Sequence, residues 1–319
     1  MAYNILGITP GHNSSICVLS DGEITYFLEE ERLSRLKRDG NPIKTLISIL
    51  DNYKIDEVVI SGVNYQLPTL IHTLENLYVG ILRKYYKNTI PPITYVHQHH
   101  HLIHSLSSFY NSGFNKSLSI VIDSNGSRHG HKIDTKVIEG DEVESIFIQE
   151  YPLSTKTLSS THFNPNIDSP KSLPPYNIIN TIGIGKAYEA VTEYLGFKGE
   201  EAGKTMGLSS YGKSSNLPTI ISKDFRNKEL FVFEDIGGCY LPHIKENILN
   251  FYSKKDIAWK IQDDTQKMVG DIIEEAVKKT NIKQVCCSGG YFLNCVTNYY
   301  LAKRFPDIKF YFEPISNDA

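Results

Sequence analysis

Apolar and polar positions alternate along the first thirty residues in a way that predicts strands. YNILGIT (3–9) is a short apolar run ending in a polar turn, PGHNSS, and ICVLS follows as a second run. Asp21-Gly22 is a hairpin signal, after which EITYFLEE continues as a third strand. Residues 42–52 have helical spacing, EVVISG (57–62) reads as a strand, and LPTLIHTLENLYVGILRKYYK as a long amphipathic helix. TYVH is then a strand that releases the chain into a histidine run. SLSIVIDSNG (117–126) reads as a buried strand ending in an acid and a turn, with further strand signals at TKVIEG and ESIFIQEY. The Ser-, Thr-, Pro- and Asn-rich region 156–180 predicts a long loop, and FKGEEAGKTMGLSSYG a glycine-rich one after a helix at 184–195. Residues 213–258 resist assignment and suggest a mixed insertion. A helix at 263–280, the strand KQVCCSGG, a helix at 292–304 and the strand KFYFEP complete the chain. The order implies an α/β protein with two mixed-sheet lobes, about 1–180 and 181–319, and a cleft between them.

Composition narrows the function classes. With 319 residues, 40% hydrophobic, 22% charged and a net charge of -3, the chain reads as an ordinary globular protein. So balanced a charge argues against a nucleic-acid grip or a polybasic membrane surface. The basic cluster Arg32 to Arg38 directly follows Glu29, Glu30 and Glu31, as a solvated or ion-paired segment would. Cys17, Cys239, Cys286, Cys287 and Cys295 are odd in number and form no CxxC pair, which predicts a reducing, cytoplasmic setting without a disulfide framework. MAYNILGITPG lacks the features of a signal peptide, and no run reaches membrane-spanning length. KFYFEPISNDA stops just after a strand with no helix to cover it, which suggests a truncated chain or a fragment.

The stretch YVHQHHHLIHSLSSFY (95–110) holds five histidines in eight positions. Leu102, Leu106 and Phe109 fall at helical spacing, so the histidines open a helix. His100 and His104 then lie one turn apart on a face of their own, where two imidazoles can share a ligand. His97 and His101 have the same spacing, but His97 sits at the strand end. Asp123, at the carboxyl end of the next strand, is placed where ligands collect in α/β folds. The residues leave two readings side by side: a divalent-metal site, and a polar helix start whose histidines cap backbone groups.

Three small-residue loops add candidate chemistry. Ser288, Gly289 and Gly290, followed by Asn294, form a strand-to-helix turn suited to close approach of a phosphate. GITPGHNSS (7–15), with Gly11, joins two strands as a phosphate-binding hairpin would, and ordinary tight turns look the same. His12 in that loop suits a general base for a hydroxyl nucleophile or a side chain bonded to its own turn. Glu200, Glu201 and Lys204 lie in a third loop, which also reads as a solvated turn.

In this order, ILGITPGHNSSICVLSDGEITYFLEEERLSRLKRD, HHHLIHSLSSFYNSGF, SIVIDSNGS, EAGKTMGLSSYG, SGGYFLNCVTN and FEPISNDA resemble the O-carbamoyltransferases that act on nodulation factors and antibiotics. The resemblance spans essentially the whole chain. It implies the fold of the tRNA threonylcarbamoyl-transferases: two ribonuclease-H-like lobes of the actin-like ATPase and sugar-kinase group. It implies His100, His104, Asp123 and Asp318 as ligands of iron(II) or another divalent metal, the fourth coming from the resemblance alone. It further implies carbamoyl phosphate and ATP as co-substrates, with carbamoyl-adenylate made in a separate C-terminal domain and its carbamoyl group passed here to a hydroxylated acceptor. His12 is then the expected base, Glu201 a polar anchor, Lys37 a contact for the carbamoyl or phosphate end, and Gly11, Ser288, Gly289, Gly290 and Asn294 the nucleotide-binding set. The activating domain, or a partner chain supplying it, is expected to be needed. The rival expectations are a tRNA-modifying transferase, a sugar kinase of the same superfamily, and a non-catalytic nucleotide-binding scaffold or remnant. The HxxxH pair speaks against the kinase, which holds magnesium through carboxylates.

Overall fold

A computed structural model describes residues 2–318 apart from 62–67, 88, 97, 134, 215, 237–238 and 246–248. His97 therefore lies outside the described residues. The chain separates into two compact units, residues 1–100 with 317–319, and residues 101–316.

The first unit is a five-stranded mixed sheet. Strands β1 (Asn4–Thr9), β2 (Ser15–Ser20) and β3 (Glu23–Glu29) form the expected antiparallel meander. After helices α1 (Glu30–Ser34) and α2 (Ile43–Leu50), β4 (Glu57–Ile60) joins the far side of β1 in parallel. Helix α3 (Pro68–Tyr86) leads to β5 (Ile93–Tyr95), parallel to β4, and the order is β3-β2-β1-β4-β5. Leu6, Ile8, Ile16 and Val18 from the strands bury against Leu46 and Ile49 of α2 and Tyr78 and Leu82 of α3. Each such side chain contributes roughly 1.5–3 kcal/mol of apolar burial. Buried Glu30 opens α1 and caps α2, accepting from the amides of Lys44 (3.1 Å) and Thr45 (2.9 Å). The EEE run is thus partly structural.

The second unit opens with α4 (His100–Ser112), whose first residue is assigned to the first unit, and β6 (Lys116–Ile122). Then come β7 (Arg128–Ile133), β8 (Lys136–Glu150), β9 (Ser154–Phe163), β10 (Lys171–Leu173) and β11 (Tyr176–Ile179). Helices α5 (Ile184–Tyr194) and α6 (Ala202–Ser209), the hairpin β12 (Phe231–Ile236) and β13 (Cys239–Ile244), and α7 (Lys254–Thr280) precede β14 (Gln284–Ser288). Helix α8 (Cys295–Arg304) and β15 (Lys309–Phe312) follow. The main sheet runs β10-β11-β9-β8-β6-β14-β15. Its segment β9-β8-β6-β14-β15 repeats the order and the directions of the first sheet: two antiparallel pairs, then two parallel ones. This is the ribonuclease-H-like arrangement, present in each unit.

The division falls near residue 100 rather than 180, because β6, β8 and β9 hydrogen-bond into the sheet completed by β14 and β15. Region 156–180 is not a loop but three strands. Its Ser and Thr residues suit a pleated surface, and Ser160 and His162 are buried through hydrogen bonds rather than apolar contact. The two strand signals at TKVIEG and ESIFIQEY are one 15-residue strand, β8. EAGKTMGLSSYG, expected as a loop, contains α6, which packs on α7. Helix α7 begins at Lys254, well before residue 263, because Ser253 caps it by accepting from the Asp256 amide.

Candidate functional site

Each unit places an aspartate with histidine beside it. In the first unit, Asp318 lies between two imidazoles: its Oδ2 is 3.6 Å from His12 Nε2, and its Oδ1 is 3.6 Å from His100 Nε2. His12 projects from the β1–β2 turn and is half exposed, whereas His100 is buried. Gly11 gives that turn its shape: it has φ +119, in the region that favours glycine, and its amide donates to the Gly40 carbonyl at 3.1 Å. Asn317 ties the segment down by donating to Glu29 Oε1 at 3.3 Å.

In the second unit, His104 Nε2 is 3.4 Å from Asp123 Oδ2. Asp123 leaves the end of β6, and its carboxylate is held by two amides, Ser124 N–H to Oδ1 (2.7 Å) and Gly290 N–H to Oδ2 (3.2 Å). The SGG turn therefore braces this pair directly. Ser288 Oγ donates to the His104 carbonyl at 2.9 Å. Gly289 has φ +91, and a Cβ there would lie 2.4 Å from the Ile122 carbonyl oxygen, so only glycine lets β14 turn this close to β6. Gly185 is similarly required, since a Cβ would meet the Asp123 backbone at 2.5 Å.

The remaining predicted residues sit differently. Asn294 caps α8, accepting from the Thr297 amide (3.0 Å) and donating to Gln262 Oε1 (2.8 Å), so both ends of its amide have internal partners. Glu201 pairs with Lys204 at 2.6 Å and accepts from the Lys198 amide at 3.1 Å. Those contacts, Lys204 foremost, hold its carboxyl below the usual range. Lys37 stands exposed in the turn after α1. A groove of ≈ 420 Å³ runs along the second unit between Ile122, Ile146, Arg226, Met268 and Ile272, and none of the sequence-assigned residues lines it.

Sequence reasoning missed the groups behind α4. Glu142, buried on β8, accepts from the amides of His101 (3.3 Å) and Ser127 (3.2 Å), and its Oε1 is 3.4 Å from His129 Nε2. Burial raises its carboxyl pKa, but His101, His129 and His162 outweigh this and bring it down to about 2. Burial drives His162 the other way for its charge type, down to about 3, so its imidazole is neutral at neutral pH. Charged residues inside GDEVESIFIQE, an otherwise apolar strand, were the available signal.

The carbamoyltransferase N-terminus family model matches residues 67–319. The chain belongs to that family. An uncharacterised protein of Methanocaldococcus jannaschii is 29% identical over 317 residues, covering 94% of this chain and 53% of the relative. Nodulation protein NolNO of Sinorhizobium fredii is 24% identical over 345 residues, covering 97% of this chain and 45% of its own. This carbamoyltransferase-family chain thus spans about half the length of these relatives. Full-length HypF, solved in a phosphate- and nucleotide-bound form, shares its fold with TM-score 0.58 at 15% identity, over 99% of this chain and 44% of that one. HypF from T. kodakarensis gives TM-score 0.59 at 13% identity, over 99% of this chain and 45% of that one. Among the described residues, no helix is long and apolar enough to cross a membrane.

Proposed function

We propose that this chain is the carbamoyl-transferring part of a cytoplasmic O-carbamoyltransferase, passing a carbamoyl group from carbamoyl-adenylate to a hydroxyl of a small-molecule or sugar acceptor. Carbamoyl phosphate and ATP are the ultimate donors, and the activating domain is supplied by further chain or by a partner. Family membership supports carbamoyl transfer. The observation that carries the reading further is the helix α4, which bears His100 and His104 one turn apart with an aspartate beside each.

His100, His104, Asp123 and Asp318 are assigned as ligands of iron(II) or a similar divalent ion. Two imidazoles with two carboxylates suit a borderline cation, and buried imidazoles beside partly buried carboxylates fit that purpose. Such an ion, when bound, neutralises phosphate charge and orients the donor. His12 takes the proton from the acceptor hydroxyl, and the oxygen attacks the carbamoyl carbon. The mixed-anhydride bond to the phosphate breaks, and adenylate leaves with its electron pair. Asp318, 3.6 Å from His12, orients that imidazole and stabilises it once protonated. Gly11, Ser288, Gly289 and Gly290 are assigned to the donor nucleotide, with Asn294 shaping the turn that carries them. Glu201 and Lys37 are the second polar anchor and the contact for the donor's carbamoyl or phosphate end. HypF, which shares the fold, is described with phosphate and nucleotide bound, which agrees with a nucleotide here.

The test supplies carbamoyl-adenylate and a panel of hydroxylated acceptors to the chain and follows adenylate release and carbamoylated product. Product formation that needs both donor and acceptor supports the reading. Nucleotide binding with no turnover on any acceptor would favour a non-catalytic scaffold instead.

A further inference from the structure

Helix α4 meets its sheet largely through polar groups: of the expected apolar stripe only Phe109 is buried, against Cys286 of β14 and Phe114. Leu102 and Leu106 are only partly buried, while His101, Ser105 and Ser108 are fully buried at successive turns of one face. Each has a partner on the sheet. His101 Nδ1 is 2.8 Å from Ser145 Oγ, Gln149 Nε2 donates to Ser105 Oγ, and Ser288 Oγ is 3.3 Å from Ser108 Oγ. The helix start is held by the Glu142 carboxylate on the His101 amide.

Glu142 and Ser145 both reach His101, although three positions apart they would face opposite sides of a regular strand. The pairing of β8 with β9 shifts register between Glu142 and Glu144, which turns the carboxylate onto the side of Ser145. The seam is anchored further in. Ser145 Oγ is 2.9 Å from Ser160 Oγ, Ser160 Oγ is 2.9 Å from His162 Nε2, and His162 Nδ1 is 3.2 Å from His131 Nε2.

We infer that this hydrogen-bonded seam is a register lock for α4, and that Glu142 and Ser145 are positioning residues which set the orientation of His100 and His104 toward a metal. The inference rests on the metal reading above. An apolar helix–sheet contact tolerates small slides, whereas a chain of buried hydrogen bonds is satisfied in one register. Ligand distances tolerate only about 0.2 Å, so a helix freed to slide or rotate holds its metal less well.

The experiment measures cobalt(II) affinity and the visible ligand-field spectrum of the full chain, with zinc competition as a second affinity readout. The wild type is compared with Glu142→Gln, with the milder Ser145→Ala, and with Ile148→Ala. Ile148 lies on the same strand but is partly buried against the apolar core, so it controls for lost stability. The seam variants, folded by circular dichroism, are expected to lose roughly tenfold or more in affinity and to change the cobalt spectrum, with Ile148→Ala matching wild type. Wild-type affinity and spectrum in either folded seam variant would overturn the register lock. An equal loss in Ile148→Ala would do the same. If the wild type binds no metal, the ligand assignment itself fails and takes this inference with it.

Discussion

His104 Nε2 stands 3.4 Å from Asp123 Oδ2, and the Gly290 amide donates to that same oxygen at 3.2 Å. Strand end, helix and glycine turn thus converge on one carboxylate. Asp123→Asn keeps the shape but leaves one of the two amides facing an N–H donor. It is expected to cost about 1–3 kcal/mol of stability and most of the bound metal. Denaturant titration and metal analysis check the two effects separately. A variant with full metal content would remove Asp123 from the ligand set.

The loop histidine gives a second prediction. His12→Ala is expected to retain nucleotide binding while transfer from supplied carbamoyl-adenylate falls by about 10²–10⁴-fold. Calorimetry with nucleotide and a product assay measure the two. If transfer survives at the wild-type rate, the base lies elsewhere.

The seam predicts acid sensitivity. His162 has a folded pKa of about 3 against 6.5 unperturbed, so on lowering pH the unfolded chain takes up its proton first and stability is lost from about pH 6.5 downward. Glu142, at about 2 against 4.5, contributes stability that is present above its unfolded pKa and lost as pH falls toward 2. Both act in one direction, each approaching ~1.4 kcal/mol per pH unit within its window. Urea midpoints between pH 7.5 and 5, a range of roughly two and a half units around the unperturbed histidine value, are expected to fall, and more shallowly in His162→Gln. Midpoints unchanged or rising toward pH 5 would contradict this assignment.

Gly289→Ala tests the close approach of β14 to β6. The added Cβ meets the Ile122 carbonyl oxygen at 2.4 Å with φ at +91, so backbone must move. A loss of about 1–3 kcal/mol is expected, read from thermal or urea unfolding. Near-neutral stability would show that the turn relaxes freely.

Legibility in the sequence followed how each element is buried. Strands β1, β2, β6 and β14 bury apolar side chains and stood out as apolar runs. Strand β9 buries Ser160 and His162 through hydrogen bonds and so resembled a loop. Helix α6 carries Gly203 and Gly207, residues that read as loop until α7 is there to pack against. At the site, the spacing of His100 and His104 and the strand-end position of Asp123 were visible locally. Asp318 came only from the resemblance, because its neighbours His12 and His100 are brought to it by tertiary structure. Glu142 and Ser145 were missed because polar residues in a strand read as its solvent face, and here they face a helix.

The central claim is most directly tested by metal analysis of protein purified without oxygen, with His100→Ala/His104→Ala beside it. About one iron per chain in the wild type, absent from the folded double variant, is the predicted result. No metal in the wild type even after iron is added, or equal metal in both proteins, would contradict it.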